Sequence, residues 1–394
     1  MKKGLVLVGG VRTPMAEYNG HLAHLSATDL GVLAAEATLS RGGVAAAEVD
    51  HVVFGNVLQT SADAIYLARH IGLRAGVPVE TPALTVNRLC GSGFQSLVTA
   101  AHMILMEEAS VVLAGGTESM SQAPHVVRGA RQGLRLGHAQ FTDSLMESLF
   151  DSYCNLPMAV TAENLASQWG ISREEQDQFA VRSQSAAEAA VAEGKFEEEI
   201  FPVMLRDKKR GDIPFKDDTH RKPDTTAETL AKLRPAFRKD GTVTGGNASG
   251  IVDGAAAFVV TREEIASRRG WPVMGHLRAW SYSAVDPSIM GFGPVPAIQK
   301  LLQAEGLEQD DVGLFEVNEA FAAQYLACEK ALALDREKTN VNGGAIALGH
   351  PLGATGTRLT LTLLLEMRRR GVRYGIASAC IGGGQGMALL LESA

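Results

Sequence analysis

Short apolar runs alternate along the chain with longer segments in which apolar residues recur every three or four positions. Leu5–Val8, His51–Phe54, Ala83–Val86 and Val111–Ala114 have the length and continuity of buried strands. Residues 27–40, 62–72 and 92–107 carry Leu, Ala, Ile and Met at helical spacing between them. Mostly apolar strands interleaved with helices predict a layered α/β core.

The pattern changes after Met120. Residues 120–249 hold longer polar segments and much of the charge. One helix is well marked there: Ser172-Arg-Glu-Glu175 is a capping box, and the helix runs to about Glu193 before Gly194. Residues 206–240 are loop-rich, with basic patches at Lys208-Lys209-Arg210 and Arg221-Lys222. The segment reads as an inserted loop or lid domain. A strand at Ala255–Val260 and a helix to Arg269 resume the core. From 273 onward the order restarts. Asp50–Phe54 finds a counterpart in Asp311–Phe315, and Val86-Asn87 before Cys90–Gly93 in Val341-Asn342 before Gly353–Gly356. This weak internal repeat predicts two similar α/β halves packed face to face. The expected divisions are 1–119 plus 250–272, 120–249, and 273–394.

Composition narrows the classes. Of 394 residues, 46% are apolar and 6% aromatic, and 42 are glycine, which suits tight turns in an α/β fold. The net charge of −7 gives no basic excess for nucleic acid. No apolar stretch approaches the roughly 18 residues of a membrane span. Lys2 and Lys3 precede too short an apolar run for a secretory leader. Cysteines at 90, 154, 328 and 380 are too few and scattered for a disulfide framework, and no CxxC pair suggests zinc. Reduced thiols in a soluble cytoplasmic protein are the expectation.

Chemistry concentrates at glycine-rich strand ends. Cys90, in Asn87-Arg-Leu-Cys-Gly-Ser-Gly-Phe94, stands where a strand ends and a helix begins. Free N–H groups and the helix dipole there favour a thiolate. A lone cysteine is equally a packing residue, so on this fragment the two readings stand level. His350, in Gly349-His-Pro-Leu-Gly353, suits a general base or oxyanion donor; the plainer reading is a turn histidine. Cys380 follows an apolar strand and precedes Gly382-Gly-Gly384, whose N–H groups could bind an oxyanion. Asn318-Glu-Ala-Phe321 follows the apolar strand Gly313–Val317; its asparagine is either functional or a helix cap. A Cys/His pair performs nucleophilic acyl transfer, and a second thiol suggests an acid/base acting on carbon.

Cys90-Gly-Ser92, Asn318-Glu-Ala-Phe321, Gly349-His-Pro351 and Cys380-Ile-Gly382, in this order and spacing, resemble the motifs of thiolases. Gly115-Gly-Thr-Glu-Ser-Met-Ser121 and Gly246-Asn-Ala-Ser-Gly250 extend the likeness over essentially the whole chain. Asn56-Val-Leu-Gln59, Ile65-Tyr-Leu-Ala-Arg69 and Leu156-Pro-Met158 are similar to markers of the mitochondrial-type 3-ketoacyl-CoA branch.

The resemblance implies the thiolase fold, with α-β-α-β-α layering, and an acyltransferase cycle. Cys90 attacks the 3-keto carbon of a 3-ketoacyl-CoA, Cys380 protonates the departing enolate, and His350 takes the proton of Cys90 and activates coenzyme A. The reverse reaction is a Claisen condensation. His350 with a water held by Asn318 forms one oxyanion hole; the N–H groups of Cys90 and Gly382 form the other. Ser249 matches a position that binds the pantetheine arm, and Met158, Phe237, Met290, Ala320 and Phe321 match pocket-lining positions. Arg221, Lys222 and Arg234 are candidates for the CoA nucleotide.

Coenzyme A is then a co-substrate, with no permanently bound cofactor or metal, and a homodimer or homotetramer is expected. Biosynthetic acetoacetyl-CoA thiolases carry histidine where this chain has Pro157. That tilts the expectation toward fatty acid β-oxidation, with acetyl-CoA C-acetyltransferase as the alternative. A non-catalytic acyl-CoA-binding subunit is disfavoured by both reactive cysteines, and a decarboxylating ketoacyl synthase by the second one.

Overall fold

The computed structural model describes residues 4–207 and 211–394, so Lys2, Lys3 and the Lys208-Lys209-Arg210 patch lie outside the described residues. The core strands are β1 (Leu5–Arg12), β2 (His51–Gly55), β3 (Ala83–Val86), β4 (Val111–Glu118), β5 (Val252–Arg262), β6 (Val273–Ala284), β7 (Leu314–Val317), β8 (Tyr374–Ile381) and β9 (Gln385–Ser393). They form one sheet in the order β7-β8-β9-β6-β1-β5-β4-β2-β3, with Ala16–Glu17 pairing on β5. Pairs β2/β3, β2/β4 and β7/β8 are parallel, and the others are antiparallel.

The repeat is visible in this order. The N-terminal wing runs β3-β2-β4-β5-β1 and the C-terminal wing runs outward as β6-β9-β8-β7. A parallel bridge from Phe315 to Thr339 stands where a counterpart of β3 belongs. The wings are joined edge to edge by β1 and β6, with a register shift between Leu7 and Val8.

The longer helices are α1 (Ala27–Gly42), α2 (Leu67–Arg74), α3 (Ser92–Leu105), α4 (Met158–Trp169), α5 (Arg173–Ala192), α6 (Pro294–Glu305), α7 (Ala322–Leu332) and α8 (Thr355–Arg370). Side-chain alternation sorts them into layers. On β1, Val6 and Val8 pack with Leu30, Ala34 and Ile71 of α1 and α2. Leu5 and Leu7 turn the other way, toward Phe94 and Leu97 of α3 and Leu359 and Leu363 of α8. The same central layer receives Ala377, Ala379 and Leu389 of the other wing, so the two wings face each other across α3 and α8. Ile376 and Leu390 point outward, onto α4, α5, α6 and α7. This is the expected α-β-α-β-α stack. Each fully buried aliphatic side chain in it stabilises by about 1.5–3 kcal/mol.

Two strands outrun their apolar cores. β1 continues through Gly9-Gly10 because a Cβ on Gly10 would lie 2.2 Å from the Phe258 ring, and β4 continues through Gly115 because a Cβ there would lie 2.4 Å from Ala256 O. The glycines are close approaches within strands, where the sequence pattern had suggested ends.

Residues 119–251 leave the sheet after Glu118 and return at Val252, between strands paired as Glu118↔Gly254. α5 begins at the Ser172 capping box and ends at Ala192, before Gly194. It is not a detached cover: Leu165 and Phe179 of α4 and α5 belong to the same core as Tyr325 and Ile298. Among the described residues no helix is long and apolar enough to cross a membrane.

Candidate active site

Four chain segments converge where the two halves meet. The first is the turn after β3. Leu89 there adopts φ +48°, a left-handed conformation that is costly for a bulky side chain. Asn87 Oδ1 accepts from Leu89 N at 2.9 Å, and Ser92 Oγ donates to Leu89 O at 2.7 Å and accepts from Arg88 N at 2.8 Å. The strained turn presents the half-buried Cys90 just ahead of α3.

The Cys90 thiol differs from the activated thiolate expected from the sequence. Burial pushes it up to about 11, and the nearby Glu118 charge adds to the rise. The Gly382 N–H, aimed at the sulfur, opposes it without overcoming it. Desolvation exceeds the helix-start effect because the thiol is packed against Leu58, Met120 and Leu352. At rest Cys90 is therefore a neutral thiol.

His350 stands on the turn whose Leu352 packs in the same cluster as Cys90. Its backbone N–H donates to Gly250 O at 2.9 Å. The Thr355 hydroxyl donates to Pro351 O at 3.0 Å and lies 2.6 Å from His350 Nδ1, so the network assigns the ring proton to Nδ1. Nε2 then carries the lone pair, with Asn318 Nδ2 at 3.4 Å. Burial, with the Arg358 charge second, lowers His350 to about 3, so the ring is neutral at rest. Asn318 is fully buried, donates its backbone N–H to Ser378 O, and keeps Oδ1 without a partner among the described residues.

Cys380 is wholly buried near the end of β8, in a small cluster with Met290, Ala320, Met158 and Phe321. Burial raises its thiol well above the ordinary value, and Cys90 contributes next. A Cβ on Gly91 would lie 2.5 Å from Ile381 Cδ1, which sets the Cys90 turn against the segment carrying Cys380 and Gly382. Cys328 lies deeper, its sulfur donating to Gly291 O at 3.3 Å.

A cleft of about 770 Å³ adjoins the Cys380 cluster, sharing Met158 and Phe321 with it, and is lined also by Phe141, Met146, Phe150, Pro157 and Phe237. Ser249 stands beside it, its N–H donating to Ala320 O at 3.0 Å. Thus Met158, Phe237 and Phe321 line the cleft, while Met290 and Ala320 pack with Cys380 against Met158 and Phe321.

The basic candidates are placed differently. Arg221 is bound by Glu188 and Asp218 O and lines a separate cleft with Phe196 and Lys216. Lys222 Nζ donates to Glu17 at 3.0 Å. Both cations are thus engaged within the protein. Arg234 is exposed.

Sequence reasoning missed Thr355, Leu89 and Arg358. Only Thr355 left a trace, as a hydroxyl five residues after His350 at the start of a helix.

The chain matches the thiolase N-terminal domain over residues 5–264 and the thiolase C-terminal domain over residues 271–393. It is 54% identical over 392 residues to a Homo sapiens protein named 3-ketoacyl-CoA thiolase, mitochondrial, covering 99% of this chain and 98% of that one. An acetyl-CoA acetyltransferase of Cupriavidus necator is 45% identical over 389 residues, 98% of this chain and 99% of that one. The crystal structure of human mitochondrial 3-ketoacyl-CoA thiolase in complex with CoA superposes with a TM-score of 0.97 at 53% identity, covering 100% of this chain and 98% of that one.

The expected cytoplasmic location is overturned by these relatives. The human protein and its Bos taurus and Mus musculus counterparts, at 50–54% identity, are named mitochondrial. Unpaired cysteines report a reducing compartment without saying which one. Both halves carry their own family match and the fold superposes over its full length, so the chain belongs to the thiolase family.

Proposed function

We propose that the chain is a 3-ketoacyl-CoA thiolase, cleaving 3-ketoacyl-CoA with CoA to acetyl-CoA and a shortened acyl-CoA. The observation that carries this reading is the pairing of a half-buried thiol, Cys90, with a buried thiol, Cys380, whose neighbours Met158 and Phe321 line one apolar cleft. Hydrolases need only one such thiol. CoA-dependent carbon–carbon cleavage needs a nucleophile and a separate carbon acid/base.

Nε2 of His350 takes the Cys90 proton as sulfur adds to the 3-keto carbon. The tetrahedral alkoxide collapses, the bond between the α and β carbons breaks, and the acetyl-CoA enolate takes the proton of Cys380. The acyl group stays on Cys90. The proton on His350 passes to the Cys380 thiolate, and Nε2 then accepts the proton of incoming CoA. The CoA thiolate displaces Cys90, which recovers that proton. Because Nδ1–H is held by Thr355, Nε2 donates only while His350 is protonated, which is when the enolate oxygen needs it. Asn318 holds the water of the same oxyanion hole, a reading supported by its unpartnered Oδ1 and by its Nδ2 near His350 Nε2. The Cys90 and Gly382 N–H groups serve the acyl carbonyl, each such donor supplying about 3 kcal/mol.

Pro157 on the wall of an apolar cleft favours a wide chain-length range over acetyl transfer alone. Thiolysis of 3-ketooctanoyl-CoA and acetoacetyl-CoA decides. An eight-carbon rate below about a hundredth of the four-carbon rate, roughly 2.7 kcal/mol in transition-state binding, would establish the acetyltransferase reading instead.

The edge strand β3 exposes Leu84, with Ile65, Tyr66 and Val79 exposed nearby. An unpaired apolar edge supports a homodimer through β3. Tetramers would use the exposed arm at 128–141, which carries Leu134 and Leu136.

A further inference from the structure

Glu118 closes β4 and is fully buried, yet the thiolase cycle gives it no task. Its carboxylate accepts four hydrogen bonds from two chain segments. Oε1 takes Asn56 Nδ2 and Leu58 N, both at 3.0 Å. Oε2 takes Val57 N at 3.1 Å and Gly353 N at 2.8 Å. The first segment belongs to the N-terminal half, and Gly353 belongs to the His350 turn of the other half.

Both segments frame the nucleophile. Leu58 and Leu352 pack with Met120 around Cys90, and Asn87 Nδ2 ties the Cys90 turn to Val57 O at 3.2 Å. Glycines bring the Gly353 peptide into place. A Cβ on Gly116 would lie 1.9 Å from Gly353 O, and one on Gly353 would lie 3.0 Å from Glu118 Oε2. The motifs Asn56–Gln59, Gly115–Ser121 and Gly349–Gly353 thus meet at one carboxylate.

We infer that Glu118 is a positioning residue: its ionised carboxylate clamps the His350 turn of one half to the Cys90 surroundings of the other. The inference rests on the thiolase reading for its kinetic consequences only.

Because both oxygens accept N–H donors, a group with one acceptor oxygen cannot replace the carboxylate. Protonation removes an acceptor, and a glutamine would face donors with its own NH₂. Burial, opposed by the Leu58, Gly353 and Val57 N–H groups and reinforced by Asp253, raises Glu118 to about 7. A carboxyl with its folded value above the ordinary one stabilises the fold below about pH 4.5 and loses that contribution as pH rises through 7. Ionised Glu118 therefore works against stability at neutral pH, as expected of a group kept for function.

The charged or titratable groups acting on it are Asp253, held by Ser121 N and Oγ at 2.9 and 2.5 Å, and Cys90. Cys90 near 11 and His350 near 3 titrate far from neutrality. Glu316, raised to about 8 by burial despite Arg358 at 3.7 Å, is a second deep carboxyl in that range, and burial raises Glu319 as well.

The test pairs pH profiles of thiolysis with site-resolved alkylation of Cys90 by iodoacetamide. Wild-type kcat should fall as pH drops through about 7, with KM for the acyl-CoA nearly constant. Asp253→Asn should move that limb to lower pH, and Glu316→Gln should leave it in place. Glu118→Gln should lose about 10- to 100-fold in kcat, the scale of a small misplacement, and lose the limb. Its Cys90 alkylation should depart from the wild-type rate as well, because loss of the Glu118 charge lowers the thiol while the loosened turn changes its access.

A folded Glu118→Gln enzyme with kcat and Cys90 alkylation within about twofold of wild type overturns the clamp, on the scale of that expected loss. So does a wild-type profile that is flat from pH 6 to 8, even if Glu118→Gln does not fold. A wild type that alkylates normally at Cys90 but cleaves no 3-ketoacyl-CoA overturns the thiolase reading, and the alkylation rates then decide the clamp alone.

Discussion

The proposed nucleophile, Cys90, rests uncharged. With Cys90 raised to about 11 by burial, its alkylation by iodoacetamide should climb steadily from pH 8 to 10, as measured by mass spectrometry of the Cys90 peptide. A plateau already reached at pH 7 would show that the helix-start field outweighs desolvation. Thr355 fixes which nitrogen of His350 carries the proton. Thr355→Ala should lower kcat by about 10-fold or more, with KM little changed and Thr355→Ser restoring the rate. These two points mark the limit of sequence reading at a single residue. Cys90, His350, Cys380 and Asn318 were legible because their motifs are short and local. The direction of the Cys90 shift was not, because it depends on Leu58, Met120 and Leu352, which reach the thiol only through the fold.

At the scale of elements, the segment between β4 and β5 is tied to the sheet through a buried charge. Arg12 of β1 forms a two-pronged pair with Asp218 at 2.7 and 2.8 Å and bonds Glu199 at 2.7 Å, all fully or nearly fully buried. Arg12→Ala leaves two carboxylates without their counter-charge. It should destabilise by about 3–5 kcal/mol, read from the denaturant midpoint. The Ser172 cap of α5 is exposed and local, and Ser172→Ala should cost only about 1 kcal/mol with turnover unchanged. The contrast shows what the chain reveals of its elements. The cap could be read from four consecutive residues. The Arg12 cluster joins positions 12, 199 and 218, and no periodicity announces it.

For the whole molecule, the repeat in the sequence foretold two halves, and the resemblance to thiolases implied their five layers. It did not foretell that β1 and β6 would join the wings into one sheet, since strand pairing between halves leaves no local mark. The unpaired edge β3 predicts assembly: Leu84→Lys should lower the molar mass measured by light scattering to that of the monomer, while an unchanged mass would place the interface elsewhere. The cleft and both thiols exist only because the halves converge, so the central claim concerns what Cys90 carries between them. The most direct measurement is mass spectrometry of enzyme quenched after mixing with 3-ketooctanoyl-CoA in the absence of free CoA. The account predicts a hexanoyl group on the peptide containing Cys90, discharged on adding CoA. An acyl group on any other residue, or cleavage with none on Cys90, would contradict it.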